Sequence, residues 1–409
     1  MFFFPFILLF LAPSTFAEVI TLEPVTVQSS RLSNERRSVQ VITEKEIADS
    51  NAVYVGDLLR QSSGVDWTNS GFAYIRGGTG AQTLVFVDGI RMNDPSDPNR
   101  AYDFSSLDLS QVERIEIFKG PQSVAFGSDA MAGVISISTK KPHSLQKSFS
   151  LLGGDQGTFR ATGSIASPIR KGISVNLRAS HLRSDGPSTA LVSNGDIDQK
   201  QLTSAGISLN FRPSIKNEVT LGSDISYLKQ DLDAGSFLDD PNLNSKTLQK
   251  TAFVRSKLSF SESSQSQILL SRMWNRRAYD DRADPGDASP PQDSTYYGTL
   301  SDLDLSHRVF LHSGHEVVLG GEWKKEKIGI ESRLSPVPLK KNHLLTVGVF
   351  FQDRLNLGRG WTTEVGLRHE RPSDFGSSTQ KKIGLEKRFG SDTKLNAAFG
   401  TGFKVPALY

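Results

Sequence analysis

The chain of 409 residues contains no cysteine. That absence excludes a disulfide framework, a thiol nucleophile and a Cys-ligated zinc site, and it leaves the compartment undetermined. Long apolar runs are missing as well. Beyond the N-terminus no stretch supplies the roughly 20 apolar residues that a membrane helix requires. Hydrophobic residues make up 37% of the chain, too few for a bundle of such helices, while 35 glycines exceed what a compact helical protein needs, because glycine is costly inside helices. Charge of one sign is also scarce: 47 Lys and Arg against 44 Asp and Glu leave +3. No basic block favours a nucleic-acid partner. Catalytic signatures are equally thin. His181, His307, His312, His315, His343 and His369 are scattered. There is no nucleophile elbow, metalloprotease helix or P-loop, so an enzyme is not expected.

What is present begins at the N-terminus. Met1–Leu11 is almost purely apolar and Thr15-Phe16-Ala17 has the small residues of a cleavage site. Residues 1–17 therefore read as a secretory signal peptide removed after Ala17. No Lys or Arg precedes the apolar run, which keeps a short hydrophobic anchor open as the alternative.

Two textures follow, with a change near Lys140–Lys147. The first is mixed. Thr43-Glu44-Lys45-Glu46 is a capping box that opens a short helix to about Asp49. Ala52–Gln61 has helical spacing, with Gly64 beyond it as a C-cap candidate. Leu84-Val85-Phe86-Val87 is a continuous apolar run like a buried strand, and Asp88-Gly89 after it is a turn signal. Ile115–Phe118 and Val134–Ser138 add two strands, giving a small α+β domain.

From about Phe149 the pattern alternates with period two. Ile173, Val175, Leu177 and Ala179 interleave with Ser174, Asn176, Arg178 and Ser180, and similar segments recur at Ile207–Phe211, Leu345–Phe351 and Ile383–Phe389. Such alternation suits a barrel with lipid outside and water inside, and equally a soluble sandwich. Connection lengths favour the barrel. Short turns at Pro168–Gly172, Pro213–Asn217 and Leu357–Gly360 alternate with long polar connections at Asp185–Gln199, Asp231–Lys246, Asp280–Ser294 and Ser332–Lys341. Outer-membrane barrels alternate in this way, with turns on the periplasmic side and loops outside. About thirteen strands are expected by the alternation rule, the last over Lys394–Gly402. An odd, unclosed sheet leaves edges unsatisfied in lipid, so Tyr409 is not expected to be the natural end.

A series of motifs then points to one family. Leu22-Glu23-Pro24-Val25-Thr26-Val27 resembles a TonB box. Gly71–Gly77, containing Ile75-Arg76-Gly77, and Val85-Phe86-Val87-Asp88-Gly89 resemble plug motifs. Val112–Glu116, Lys119-Gly120-Pro121, Gly127–Ala130 and Ala132–Ile137 follow in the same order, and Gly400–Tyr409 resembles a barrel motif. Taken in order, the chain resembles a TonB-dependent outer-membrane transporter, in its cobalamin-transporting branch. The resemblance implies residues 18–30 as TonB box and tail, 31–145 as an α+β plug domain, and 146–409 as a partial antiparallel transmembrane β-barrel around it. Full members close about twenty-two strands, so about nine would be absent from this chain.

The implied function is TonB-driven uptake of a large, scarce ligand, cobalamin first, with a ferric-siderophore or haem receptor as the alternative, or a fragment that does not transport. The implied partners are the TonB protein, the ligand and outer-membrane lipid. Leu22–Val27 would add a strand to the edge of a TonB sheet. Pro24 keeps that segment out of a helix, and Val25 and Val27 favour extended structure. Arg76 and Lys119 would pair with barrel carboxylates and lock the plug; Lys119 stands where many members carry Arg, which loses a bidentate fork. No cofactor is required. Asp185, Asp196, Asp198, Asp231, Asp233, Asp239 and Asp240, in adjacent polar connections, could together supply oxygens for a structural calcium.

Overall fold

The computed structural model describes residues 39–68, 71–141, 144–187, 197–214, 216–233, 240, 242–281, 293–311, 314–332, 343–390 and 393–408. The signal-peptide segment, the Leu22–Val27 box, Asp196 and Asp239 lie outside them.

Helix α1, Glu44–Asp49, starts where the capping box places it. The Thr43 amide donates to the Glu46 carboxylate at 2.7 Å, and the Glu46 amide donates back to Thr43 Oγ1. Helix α2, Val55–Arg60, buries Val55, Leu58 and Leu59 on one face. It ends at Gln61 rather than at Gly64. Gly64, at φ 66°, instead turns the chain into β2, Val65–Trp67, which pairs with β3, Ala73–Ile75.

The first domain is built on a five-stranded sheet. Its strands are β1 (Val39–Ile42), β4 (Thr83–Val87), β5 (Ile90–Arg91), β6 (Val112–Lys119) and β7 (Gly133–Thr139), in the order β1-β6-β7-β4-β5. The β4–β7 pair is parallel. Leu84, Val85 and Phe86 in β4 are all buried, which is why that strand reads as an apolar run without alternation. Asp88 and Gly89, at φ 50° and 80°, form the tight turn that pairs Val87 with Ile90, and two successive positive φ values are what such a hairpin demands. One face of the sheet packs Ile115, Ile117, Ile135 and Ile137 against Leu58, Leu59 and Ile75. The other packs Leu84, Phe86 and Val134 around Phe126 of α3, Ser123–Phe126.

The second sheet has thirteen strands, each antiparallel to the next, running in sequence order from β8 to β20. They are β8 (Gln146–Gly153), β9 (Phe159–Arg170), β10 (Ile173–Pro187), β11 (Ile197–Ser214), β12 (Asn217–Asp231), β13 (Asn244–Ser261), β14 (Ser264–Asp280), β15 (Asp293–Leu311), β16 (His315–Ser332), β17 (His343–Gly358), β18 (Trp361–Pro372), β19 (Ser378–Phe389) and β20 (Thr393–Gly400). The texture change falls between Thr139, which ends β7, and Gln146, which opens β8. Short links such as Arg170 to Ile173 and Gly358 to Trp361 gather at one end, and the long connections gather at the other. No described helix is long and apolar enough to cross a membrane, which leaves crossing by strands untouched.

The strands run further than the sequence pattern indicates. Asp185 and Asp198, expected in a polar loop, belong to the β10–β11 ladder, where Asp185 lies opposite Gln199 and Asp198 opposite Gly186. Strand pairing thus continues past the last alternating apolar residues, because main-chain hydrogen bonding does not need an apolar face.

Candidate functional site: the seam between plug and barrel

The inward side chains of the sheet close over the first domain along a seam of buried charge. Arg91, from the short strand after the Asp88-Gly89 turn, donates to Glu322 of β16 at 2.7 Å and to the Phe126 carbonyl at 3.0 Å. Arg368 of β18 meets the other oxygen of Glu322 and also donates to Glu370 at 2.8 Å. Glu370 accepts the Ser128 amide at 3.1 Å. Two guanidiniums thus share one carboxylate, and the α3 end is held by backbone as well as by charge. Gly127, at φ 82°, lies here, and a Cβ would stand 2.4 Å from Glu370 Oε1. Only glycine allows the barrel charges so near the plug backbone.

A second group lies beside the first. Arg100 pairs with Glu326 of β16 and lies 3.5 Å from Asp129. It also donates to the Val405 carbonyl. Lys404 approaches Asp129 at 3.8 Å and donates to the Ala81 carbonyl at 2.6 Å. Burial alone would raise the Asp129 carboxyl, but Arg100, Lys324, Lys404 and Arg91 outweigh it and hold it below the ordinary carboxylate range. After β20 the chain therefore leaves the sheet and lies between plug and wall, with Lys404 and the Val405 carbonyl bound to the plug and Val405 and Leu408 seated on Ile328 of β16 and Leu344 of β17.

Two further groups of contacts extend the seam. Asp94 accepts from Asn275 at 2.5 Å and from Arg277 at 3.3 Å, both on β14. Gly298 of β15 makes room for it: a Cβ there would stand 2.4 Å from Asp94 Oδ1. Asp88 accepts from the Thr139 amide and hydroxyl and from Lys141 at 2.5 Å, while its own carbonyl accepts from Arg255 of β13. Burial would raise the Asp88 carboxyl, but Lys141, Arg255 and Arg178 prevail and lower it to about 2. A cavity of about 60 Å³ remains between plug and wall, lined by Asp88, Met92, Tyr102, Arg178, Asp224 and Gln249.

The residues expected to lock the plug are placed differently. Among the described residues neither Arg76 nor Lys119 meets a barrel carboxylate. Arg76 is exposed at φ 50°, and Lys119 donates to Gln40 within the plug at 2.9 Å. The two lie close enough that Arg76 adds to burial in lowering the Lys119 ammonium. The observed lock uses Arg91 and Arg100, which carried no motif signal beyond following a turn. Their carboxylates, Glu322 and Glu326, sit on the polar face of β16, where alternation alone makes a charge look solvated.

The acidic residues of the long connections do not assemble a metal site among the described residues. Asp185 faces Arg183 at 3.3 Å, Asp231 accepts the Gln199 amide, Asp233 accepts the Asp240 amide, and Asp240 accepts the Leu243 amide. An all-carboxylate donor set suits calcium chemically, and Asp196 and Asp239 of that set lie outside the described residues.

A globular domain held by buried charge against the inner face of a long antiparallel sheet is the architecture of a plugged membrane barrel. The family models agree: a TonB-dependent receptor plug domain matches residues 31–134, and a TonB-dependent receptor-like β-barrel matches residues 177–409. The chain belongs to the TonB-dependent receptor family. It is 25% identical over 414 residues to the vitamin B12 transporter BtuB of Vibrio vulnificus, covering 95% of this chain and 64% of that protein. It is 24% identical to BtuB of Vibrio cholerae, covering 95% and 63%. The siderophore receptor PirA from Acinetobacter baumannii superposes with a TM-score of 0.75 at 16% identity, covering 91% of this chain and 62% of that one. The ferric enterobactin receptor PfeA from Pseudomonas aeruginosa, a mutant in complex with enterobactin, gives 0.74 at 17% identity, covering 91% and 63%. The chain thus spans under two thirds of the length of these relatives.

Proposed function

We propose that the protein to which this chain belongs takes up a large ligand across the outer membrane, driven through the TonB protein, with cobalamin the leading ligand. The observation that carries the reading is the charged seam: a plug held by directional ion pairs inside a barrel wall is a removable stopper. Similarity to the cobalamin transporters over 95% of the chain favours that ligand. A ferric-siderophore receptor is the second reading, favoured by the fold of PirA and PfeA. Competition binding on the full-length protein with cobalamin and with ferric chelates separates them; no displacement by cobalamin removes the first.

Energy coupling would run through Leu22–Val27, adding as a strand to a TonB sheet edge. Replacing Val25 with Pro removes a main-chain donor. The expected outcome is loss of uptake with near-normal ligand binding, and undiminished uptake refutes the box. Arg76 and Lys119 retain a proposed role as cations for barrel carboxylates outside the described residues. Calcium is proposed as an ion that orders the loops, with Asp196 and Asp239 joining Asp185, Asp198, Asp231, Asp233 and Asp240. It should then tighten ligand binding by linkage, and equal affinity with calcium and with chelator rejects it.

A further inference from the structure

The inner wall has two halves. Over β15–β19 its buried side chains are long and charged, among them Asp302, Glu322, Lys324, Arg368, Lys382 and Glu386. In the middle of β10–β12 they are short and mostly neutral. Register sets Ser180 of β10 opposite Ser204 of β11, Ser204 opposite Ser226 of β12, and Ser226 opposite Gln249 of β13. Towards the short turns the same face continues with Asn176, Ser208 and Thr220, all buried. Arg160 of β9 and Arg255 of β13 bound this strip, and each donates to a plug carbonyl, that of Val53 and that of Asp88.

The plug is held differently against the two halves. On the charged side Glu322 takes two guanidiniums at once, so neither pair opens alone. On the neutral side Gln111 donates to Ser204 Oγ at 2.8 Å and to Ser180 Oγ at 3.3 Å, and the two serine hydroxyls bond each other at 2.7 Å. The cavity between plug and wall lies here, with Ser204, Ser226 and Gln249 in its lining. One row nearer the short turns, Arg178 reaches Asp224 across Gly206, a position where any Cβ would collide with both. Arg178 is only 9% exposed and lines the same cavity, yet its Nε has no hydrogen-bond partner among the described residues. A neutral hydrogen bond that breaks beside a cavity is replaced by one to water, whereas a buried charge parted from its partner bears its desolvation cost until water arrives. The neutral side therefore yields first.

We propose that the solute passes along the β10–β12 wall. The plug parts from this side while the β16–β18 seam still holds it. Arg178 Nε and the polar groups of Ser180, Ser204, Ser226 and Gln249 then exchange hydrogen bonds with the amide or hydroxyl groups of a large, mostly neutral solute. The route rests on the uptake reading given above.

The test uses the full-length protein in cells, with no cysteine beyond the pairs introduced. Gln111→Cys/Ser204→Cys, joined through a short, reducible bis-methanethiosulfonate, ties the plug to the neutral side. Val124→Cys/Gly366→Cys ties α3 to β18 on the charged side, where a Cβ at Gly366 would stand 2.8 Å from Val124 Cγ1, close enough for direct oxidation to a disulfide. Uptake and surface binding of radiolabelled cyanocobalamin, and of ferric enterobactin, are measured before bridging, after it, and after reduction. The Gln111/Ser204 bridge should lower uptake at least about tenfold with binding unchanged and with recovery on reduction, while the Val124/Gly366 bridge should leave about half or more. Ser226→Phe fills the cavity without any bridge and should slow uptake about tenfold, again with binding unchanged. Uptake that survives the first bridge, a block by the second, or normal uptake in Ser226→Phe overturns the route while leaving the transporter reading intact. Absence of TonB-dependent uptake of either ligand by the unbridged wild type overturns both.

Discussion

Inside the plug, Ile115, Ile117, Ile135 and Ile137 pack with Leu58, Leu59 and Ile75. Where the plug meets the wall, Arg91, Arg100 and Asp94 meet Glu322, Glu326 and Arg277 instead. Both contacts are buried, but by opposite means. Apolar packing is non-directional and gains from water's exclusion, so it holds the plug together wherever the plug is. A buried ion pair holds geometry but adds little net stability, because its charges are well solvated once separated. The plug core therefore reads as permanent and the seam as a register that can be left. Some apolar contact does cross the boundary, since Phe253, Leu269, Met273 and Leu300 of the wall join the plug core.

The comparison is most sharply tested at Glu322. Glu322→Ala would leave Arg91 and Arg368 buried without their shared carboxylate, and should cost the docked state about 3–5 kcal/mol. Denaturant unfolding and hydrogen exchange should show the plug released from the wall with its own strands still protected. A loss of plug-core protection at the same denaturant concentration would mean that core and seam are one cooperative unit.

A smaller effect is expected with acid. The Asp88 carboxyl falls from 3.8 to about 2 because Lys141, Arg255 and Arg178 outweigh its burial. A folded-state value below the unfolded one adds stability that is complete above about pH 4 and lost as pH falls towards 2, worth about 2 kcal/mol in all. Between those limits the wild type should lose stability that Asp88→Asn does not, and parallel pH profiles would remove Asp88 from the seam. The smallest effect is local. Thr43→Ala removes the α1 cap and should cost about 1 kcal/mol, seen as faster exchange in Glu44–Asp49 with the seam unchanged.

The same contrast explains what was legible beforehand. The Thr43 capping box, the apolar run of β4, the Asp88-Gly89 turn and the period-two strands each announce themselves within a few residues, because local geometry dictates them. The thirteen-strand sheet followed from that periodicity. The seam did not. Arg91 and Glu322 are 231 residues apart, and Arg368 reaches Glu322 across 46. Nothing near Glu322 separates a carboxylate facing a lumenal water from one facing a guanidinium. Arg76 and Lys119 had motif neighbours, yet among the described residues Lys119 meets Gln40 of the plug and Arg76 is exposed, since a motif fixes the backbone turn more firmly than the partner of a long side chain. The strand ends were misjudged for the reason seen at Asp185, where ladder and alternation stop at different residues.

The long spacing of the seam has a kinetic meaning. Each barrel strand pairs with its neighbour in sequence, over links such as Arg170 to Ile173 or Asp231 to Asn244, and the plug sheet joins strands drawn from residues 39–139. Arg100 waits for Glu326 across 226 residues. Closing so large a loop is slow, and contacts of that kind form after local ones. Until then the arginines stay hydrated and soluble. The notches at Gly127 and Gly298 are shaped for side chains that arrive last, so the plug would be finished first and the wall would set around it like a casting around its mould.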